Sequence, residues 1–235
     1  MKVLFLSNLY PNSQEPTRAV FNRQKTAHLN NLCEITVVAP IQWFPFKSIF
    51  ARQIRSIPRK EIIGRLDVYH PRVFYVPRLF RFAHGAFYYL SVRSFIKNLR
   101  KKFDFDIIFV SWVYPDGFAA MKLSKLTGKP FVVLAHGSDI NIQLKTFWRR
   151  RVIAKTLQKA NNVIAVSKGL KERMVKLGIE EEKILVIYDG VDHNLFYPMG
   201  RDLARKQLGL VHKGAIILFV GNIVKIKGIE FLLQV

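Results

Sequence analysis

Short apolar runs recurring between helix-like segments constrain this chain more than any other feature of its sequence. Val3 to Leu9, Ile35 to Pro40, Ile107 to Val113, Phe131 to His136, Val163 to Ser167 and Ile184 to Tyr188 are nearly continuous in Val, Ile, Leu and Phe. A strand with one wet face alternates polar and apolar residues, whereas a continuous run marks a strand buried on both faces of a parallel sheet. The segments between them carry the helices such a sheet needs. Val92, Phe95, Ile96, Leu99 and Phe103 fall on one helical face. Asp116 is placed to cap a helix running to about Leu126, with Gly128 as its left-handed stop and Pro130 opening the next strand. Ser167 is placed to cap Lys168 to Leu177, with Gly178 closing it. The expected fold is therefore α/β, a doubly wound parallel sheet of Rossmann-like form with right-handed crossovers.

Two stretches depart from this rhythm. In residues 41 to 90, Pro45, Pro58, Pro71 and Pro77 interrupt any long helix, and the expectation is a mobile excursion containing one strand, Val73 to Val76. After Tyr188, Asp189 to Asp192 reads as a turn and Pro198 and Gly200 as a linker. Leu203 to Leu208 then reads as a short helix and Ala215 to Val220 as a new buried strand. The expected domains are residues 1–198 and the start of a second Rossmann-like domain in 199–235, truncated because the last apparent helix has no cap.

Charge and composition narrow the partners. The 235 residues are 50% hydrophobic and 23% charged, which is globular rather than disordered, yet the formal net charge is +22. From Lys47 to Lys102 there are 14 Lys and Arg against only Glu61 and Asp67, interleaved with aromatics. The partner of this segment is anionic: nucleic acid, an acidic membrane surface or a phosphorylated molecule. Cys33 alone closes no internal disulfide, and no apolar run reaches the roughly 18 residues of a membrane span. The apolar start, Met1 to Leu6, is too short for a signal peptide, so a cytoplasmic location is expected.

In open α/β sheets, ligands sit beyond the carboxyl ends of the strands. There the chain places His136-Gly137-Ser138-Asp139, in which a glycine admits a ligand to the backbone while an imidazole and a carboxylate can bind hydroxyls or move protons. The plainer reading, a turn with Asp139 as a helix cap and His136 bonded to backbone, is equally compatible with the spacing. Thr17 is placed to cap a helix around Arg18 to Leu29, whose free amides would form an anion site with Arg18. Gly221 to Gly228 joins a strand to a helix start with two lysines, suited to phosphate oxygens. Gly-x-Gly-x-x-Gly, a Walker loop and Gly-x-Ser-x-Gly are all absent, and no two of the six histidines stand at metal-binding spacing.

The order of these elements resembles glycosyltransferase family 4, retaining enzymes of the GT-B fold. The resemblance is carried by Leu6-Ser7-Asn8-Leu9-Tyr10-Pro11-Asn12 with Arg18-Ala19-Val20-Phe21 and by Tyr114-Pro115-Asp116-Gly117 with Gly128-Lys129-Pro130. It continues through His136-Gly137-Ser138-Asp139-Ile140-Asn141, Val166-Ser167, Asp189-Gly190-Val191-Asp192 with Phe196 and Pro198, and Val220-Gly221-Asn222 with Lys227-Gly228. It implies sugar transfer from a nucleotide sugar to a glycan or lipid-linked acceptor, with retention of anomeric configuration and no essential metal or other cofactor. It also implies a site between two domains. His136 would be the catalytic-site residue that positions or polarises sugar hydroxyls, and Arg18, Asp116, Gly137 and Asp139 would bind substrate. Gly221, Asn222 and Lys227 would hold the donor diphosphate.

Three departures stand out. Ala19 occupies a position where the family usually has glycine, Asp189 replaces the usual asparagine, and Asn222 replaces an arginine, while Lys227 matches the family's phosphate-binding lysine. The family's paired glutamates would fall beyond Val235, so the 235-residue chain is expected to be inactive alone. The basic segment would then face anionic phospholipid, making the protein peripheral on the cytoplasmic membrane face. Two rival readings remain: a nucleic-acid-binding protein, which accounts for the charge but lacks any recognised motif, and a noncatalytic binding domain.

Overall fold

The computed structural model describes residues 1–43, 56–74, 83–141, 146–210, 214–221 and 223–234. Two compact units divide the chain, Met1–Asp189 and Gly190–Val235. The first holds a sheet of eight strands and a separate parallel pair.

In chain order, β1 (Lys2–Leu6) leads to α1 (Val20–Leu29), β2 (Glu34–Val38) and β3 (Ile41–Trp43). There follow β4 (Lys60–Ile63), β5 (Leu66–Tyr69), β6 (Arg72–Phe74) and the long helix α2 (His84–Arg100). β7 (Ile107–Ser111), α3 (Phe118–Thr127), β8 (Phe131–Ala135) and α4 (Ser138–Asn141) come next. α5 (Phe147–Lys159), β9 (Asn162–Ala165), α6 (Lys168–Val175) and β10 (Ile184–Val186) complete the first unit. The strand order is β10-β9-β8-β7-β1-β2-β5-β4, parallel throughout except for the antiparallel edge pair β4 and β5.

The apolar runs form the sheet because it is covered on both sides. Along β1, Leu4 and Leu6 enter one core with Tyr88, Val92 and Ile96 of α2, while Val3 and Phe5 enter the other with Ile35, Val37 and Val68. Strictly alternating burial of a wholly apolar strand into two cores is the signature of the doubly wound class. The helical face read from the sequence is the buried one: Val92, Ile96, Leu99 and Phe103 are buried, and Phe95 packs on Tyr69 with ring centroids 5.5 Å apart. Gly128 and Gly178 take φ of 71° and 83°, and the Ser167 hydroxyl accepts from Leu170 N–H at 3.2 Å, all as the punctuation indicated.

Several expectations are corrected. Residues 41–90 contain β3 to β6 rather than one strand, because β4 and β5 extend the main sheet past β2 while β3 pairs with β6. The expected strand Val73 to Val76 is seen as Arg72–Phe74, and its last two residues lie outside the described set, as do Arg52 and Arg55 of the basic segment. Tyr69 and Tyr88, counted with the aromatics of that segment, pack into the core. Ala215 to Val220 forms no strand among the described residues of the second unit, where Ile217, Leu218 and Val220 are exposed. An apolar run becomes a strand only when a neighbouring strand takes its N–H and C=O groups. Among the described residues that unit has one helix longer than a single turn, α7 (Arg201–Gln207), and a short α8 (Ile229–Leu232).

Thr17 does not cap α1. Asn12 closes a turn by accepting from Gln14 N–H and Glu15 N–H, Arg18 N–H bonds to the Glu15 carbonyl, and the helix begins only after Ala19. Ala19 itself sits at φ 46°, ψ 47°. This left-handed conformation costs an L-residue roughly 1–2 kcal/mol, which explains why glycine is the expected occupant. We expect Ala19→Gly to be neutral or stabilising by about 1 kcal/mol in urea unfolding, since relief of strain outweighs the added freedom of the unfolded chain. A clear loss of stability would mean that Ala19 is unstrained.

Candidate functional site

The chain passes from β1 to β2 on one side of the sheet and later returns through β7 on the other, so the winding reverses between β1 and β7. That reversal opens a crevice at the carboxyl edge. Ser7 follows β1, Ser111 ends β7, and His136 follows β8, so three polar residues meet where the topology leaves room.

Their hydrogen bonds knit the edge together. The Ser7 hydroxyl donates to the Ser111 carbonyl at 3.0 Å and accepts from Leu9 N–H at 3.1 Å. Asn22, buried on α1, donates to the Leu9 carbonyl at 2.7 Å and accepts from the Ser111 hydroxyl at 2.8 Å. Ser111 Oγ lies 2.7 Å from His136 Nε2. The imidazole also meets the rings of Phe21 at 4.9 Å and Trp112 at 5.8 Å, the latter nearly parallel. Trp112 reaches it from a backbone with φ 102°, a region bulky residues seldom enter. Burial, and then the nearby Lys25 ammonium, hold the His136 pKa down at about 4, so the ring is neutral near pH 7. Lys25 is in turn paired with Asp189 at 2.6 Å, which gives the aspartate at this departure a partner.

Two carboxylates lie beneath the loops. Asp139 accepts from Val113 N–H, His136 N–H and Gly137 N–H at 3.1, 3.1 and 2.8 Å, so it ties the β7 and β8 loops together. Burial nevertheless pushes its pKa up to about 6. Asp116 is a correction: the first turn of α3 has no side-chain cap, and the carboxylate points inward instead. Its Oδ1 accepts from Asn8 N–H and from the Tyr88 hydroxyl, each at 2.6 Å, while the wholly buried Oδ2 has no partner. Asp116 lies in the kinked turn Val113–Gly117, where Tyr114 is extended (φ −144°, ψ 129°), and the turn is buried throughout. Burial raises its pKa to about 7.

Other predicted site residues are placed less directly. Arg18 is paired with Glu15 at 2.6 Å and lies within 3.4 Å of the Asn8 carbonyl, so its guanidinium braces the loop after β1. Gly137 adopts φ 103°, and a Cβ there would meet only Asn141 Nδ2 at an ordinary 3.8 Å, so backbone conformation rather than crowding favours glycine there. His136 bonds a side chain, not the backbone, against the plainer reading of that turn. In the second unit Gly221 has φ 154° and Lys227 closes a single 3-10 turn ended by Gly228. Asn222 lies outside the described residues. Among the described residues no cluster of three His, Cys, Asp or Glu could hold a metal, and no helix is long and apolar enough to cross a membrane.

A mostly parallel sheet with a polar cluster at its winding reversal defines a Rossmann-like α/β domain. The fold is shared with solved structures: sucrose-phosphate synthase from Thermosynechococcus elongatus has TM-score 0.70 at 18% identity, covering 100% of this chain and 59% of that one. Anabaena HepE in complex with UDP-glucose has TM-score 0.54 at 19% identity, covering 89% and 50%. The family model for Glycosyltransferase Family 4 matches residues 26–195, and the chain belongs to that family. It is 29% identical over 242 residues to TuaC of Bacillus subtilis strain 168, a glycosyltransferase named for teichuronic acid biosynthesis, covering 97% of this chain and 60% of TuaC. It is also 34% identical over 84 residues to D-inositol 3-phosphate glycosyltransferase 1 of Catenulispora acidiphila, covering 36% and 18%. The chain thus spans about 60% of TuaC.

Proposed function

We propose that this chain supplies the acceptor-side domain of a glycosyltransferase that moves a sugar from a nucleotide sugar to a glycan or lipid-linked acceptor. The observation that carries the reading is a neutral His136 at the winding reversal of a family 4 domain, where an imidazole can bind a sugar hydroxyl without adding charge. The co-structure of HepE with UDP-glucose supports a uridine-linked donor, and the name of TuaC supports an acidic cell-envelope polysaccharide as product. Retention of configuration without a resident metal or other cofactor is what family membership implies. Negative charge developing on the leaving diphosphate would be met electrostatically by Lys227, with Gly221 and Asn222 beside it. Asp116, Asp139, Gly137 and Arg18 would shape the acceptor side by fixing the loops rather than by direct attack.

Incubating the complete protein with UDP-, GDP- and ADP-sugars and lipid-linked acceptors tests this. Release of one nucleoside diphosphate with a product of unchanged anomeric configuration is expected, and an inverted product or no release from any donor would overturn the reading. The 235-residue chain alone should not exceed a heat-killed control, because its second unit holds no paired strand among the described residues on which to build a donor pocket.

The basic segment supports a location on the face of an anionic membrane. Each basic residue near such a surface contributes about 1 kcal/mol. Co-sedimentation with anionic vesicles is expected to weaken with salt and to drop when Arg52, Arg55, Arg59 and Lys60 are changed together to Ser. Equal binding to neutral vesicles would defeat the membrane reading, and tighter binding to single-stranded oligonucleotides would favour a nucleic-acid partner.

A further inference from the structure

Behind His136 stands a directed chain of hydrogen bonds that nothing in the reaction otherwise requires. Its direction follows from which atoms own protons. The Leu9 carbonyl can only accept, so the Asn22 group 2.7 Å from it is the amide nitrogen, and Asn22 Oδ1 faces Ser111. A hydroxyl has one proton. Asn22 Oδ1 can supply none, so the Ser111 proton lies in the 2.8 Å contact to that oxygen, and Ser111 Oγ meets His136 Nε2 with a lone pair. The reverse arrangement would set two bare acceptors against each other in a buried site, where an unmade hydrogen bond is costly. Ser7 does not alter this direction: its hydroxyl donates to the Ser111 carbonyl and accepts from Leu9 N–H and, at 3.4 Å, from the same Asn22 amide nitrogen.

We propose that Asn22 and Ser111 are positioning residues that hold His136 with its proton on Nε2, leaving Nδ1 as the hydrogen-bond acceptor offered to a substrate hydroxyl. Nδ1 has no partner among the described residues, and a ring flip would replace the Nε2 contact to Ser111 by a carbon. Phe21 and Trp112 pack against the ring, so the tautomer also fixes its orientation. The depressed basicity of His136 is consistent with this arrangement, since a neutral ring is what a tautomer choice requires. The substrate's part in the proposal rests on the glycosyl-transfer reading, while the tautomer does not.

Two-bond proton–nitrogen correlation spectra of 15N-histidine-labelled protein near pH 7 test the tautomer without any substrate. The His136 signals, assigned by their loss in His136→Ala, should show a protonated Nε2 and a bare Nδ1. Ser111→Ala should average the two nitrogens, and Ser111→Thr, which keeps the hydroxyl, should restore the wild-type pattern. Asn22→Ala frees the serine proton and should move the ring toward Nδ1–H. A wild-type ring protonated on Nδ1, or a pattern untouched by Ser111→Ala, would overturn the proposal whether or not Asn22→Ala folds. In the complete protein, Ser111→Ala should lower kcat by about 100-fold with a smaller change in KM, and Ser111→Thr should recover most of it. A kcat within about twofold of wild type would overturn the positioning role. Absence of transfer by the wild-type protein would count against the proposed function, with the spectra read independently.

Discussion

Asp116→Asn is expected to stabilise the protein above pH 7, by an amount that shrinks as the pH falls. The carboxyl is fully buried, with its Oδ2 unpartnered, and its pKa stands at about 7 against an ordinary 3.8. An acid whose folded pKa is raised keeps its proton more firmly in the native state. The stability this gives is present in full below pH 3.8, declines as the unfolded chain ionises, and is exhausted once the pH passes about 7. The gap corresponds to at most about 4 kcal/mol, less on the order of 1 kcal/mol for the buried amide that replaces Oδ2. Asparagine keeps an oxygen for Asn8 N–H and the Tyr88 hydroxyl and has nothing to ionise. Alanine also removes the titration but strands both donors, so it should be less stable than asparagine at every pH. Urea unfolding of wild type, Asp116→Asn and Asp116→Ala from pH 5 to pH 8 checks this. A stability difference between wild type and the asparagine variant that stays flat across that range would sink it.

The sheet is legible because burial on two faces leaves a direct trace in sequence: five-residue strands such as β1 and β8 have almost no polar residues to obscure them. The same trace hides part of the site. The runs Val3 to Leu9 and Ile107 to Val113 swallow Ser7 and Ser111, and only the structure ends β1 at Leu6 and shows that the two serines are joined by a hydrogen bond. Asn22 escapes for a different reason. It lies inside a helix, where a polar residue reads as solvent-facing, although Asn22 and Thr26, four residues apart and both wholly buried, form a polar stripe that spacing could have exposed. Asp116 is visible in the sequence with the wrong task. A carboxylate ahead of a helix predicts a cap, and although Tyr114-Pro115-Asp116-Gly117 marks a turn, nothing in it shows that the kink at Tyr114 aims the carboxylate inward. Ala215 to Val220 shows the converse error, since apolar character marks what a segment could bury and not whether a neighbouring strand is there to pair with it.

His136→Ala should cost far more activity than stability, and the pH dependence of that stability should separate the two readings of the residue. His136 directly follows β8, past the last buried apolar residue, Ala135, and is only partly buried. Its one side-chain hydrogen bond among the described residues is to Ser111, whose hydroxyl keeps Asn22 as a partner when the imidazole is gone. Near pH 7.5 the ring is neutral in both folded and unfolded chains, so removing it costs the packing against Phe21 and Trp112 and one hydrogen bond, about 1–3 kcal/mol. Below pH 6.5 the balance changes. A base whose folded pKa is depressed to about 4 stabilises the native state only above its unfolded pKa, and that stability is lost as the pH falls. By pH 5 the wild-type protein should have given up about 2 kcal/mol that the alanine variant never had to lose. The two stabilities should therefore converge in mild acid. On the proposed function, sugar transfer at pH 7.5 should fall by about 100-fold or more, as expected when a substrate hydroxyl loses the group that orients it. Thermal midpoints at pH 7.5 and pH 5, measured with the transfer rate, decide the matter: a large drop in midpoint at both pH values with a proportionate loss of rate would make His136 a structural residue and remove it from the site.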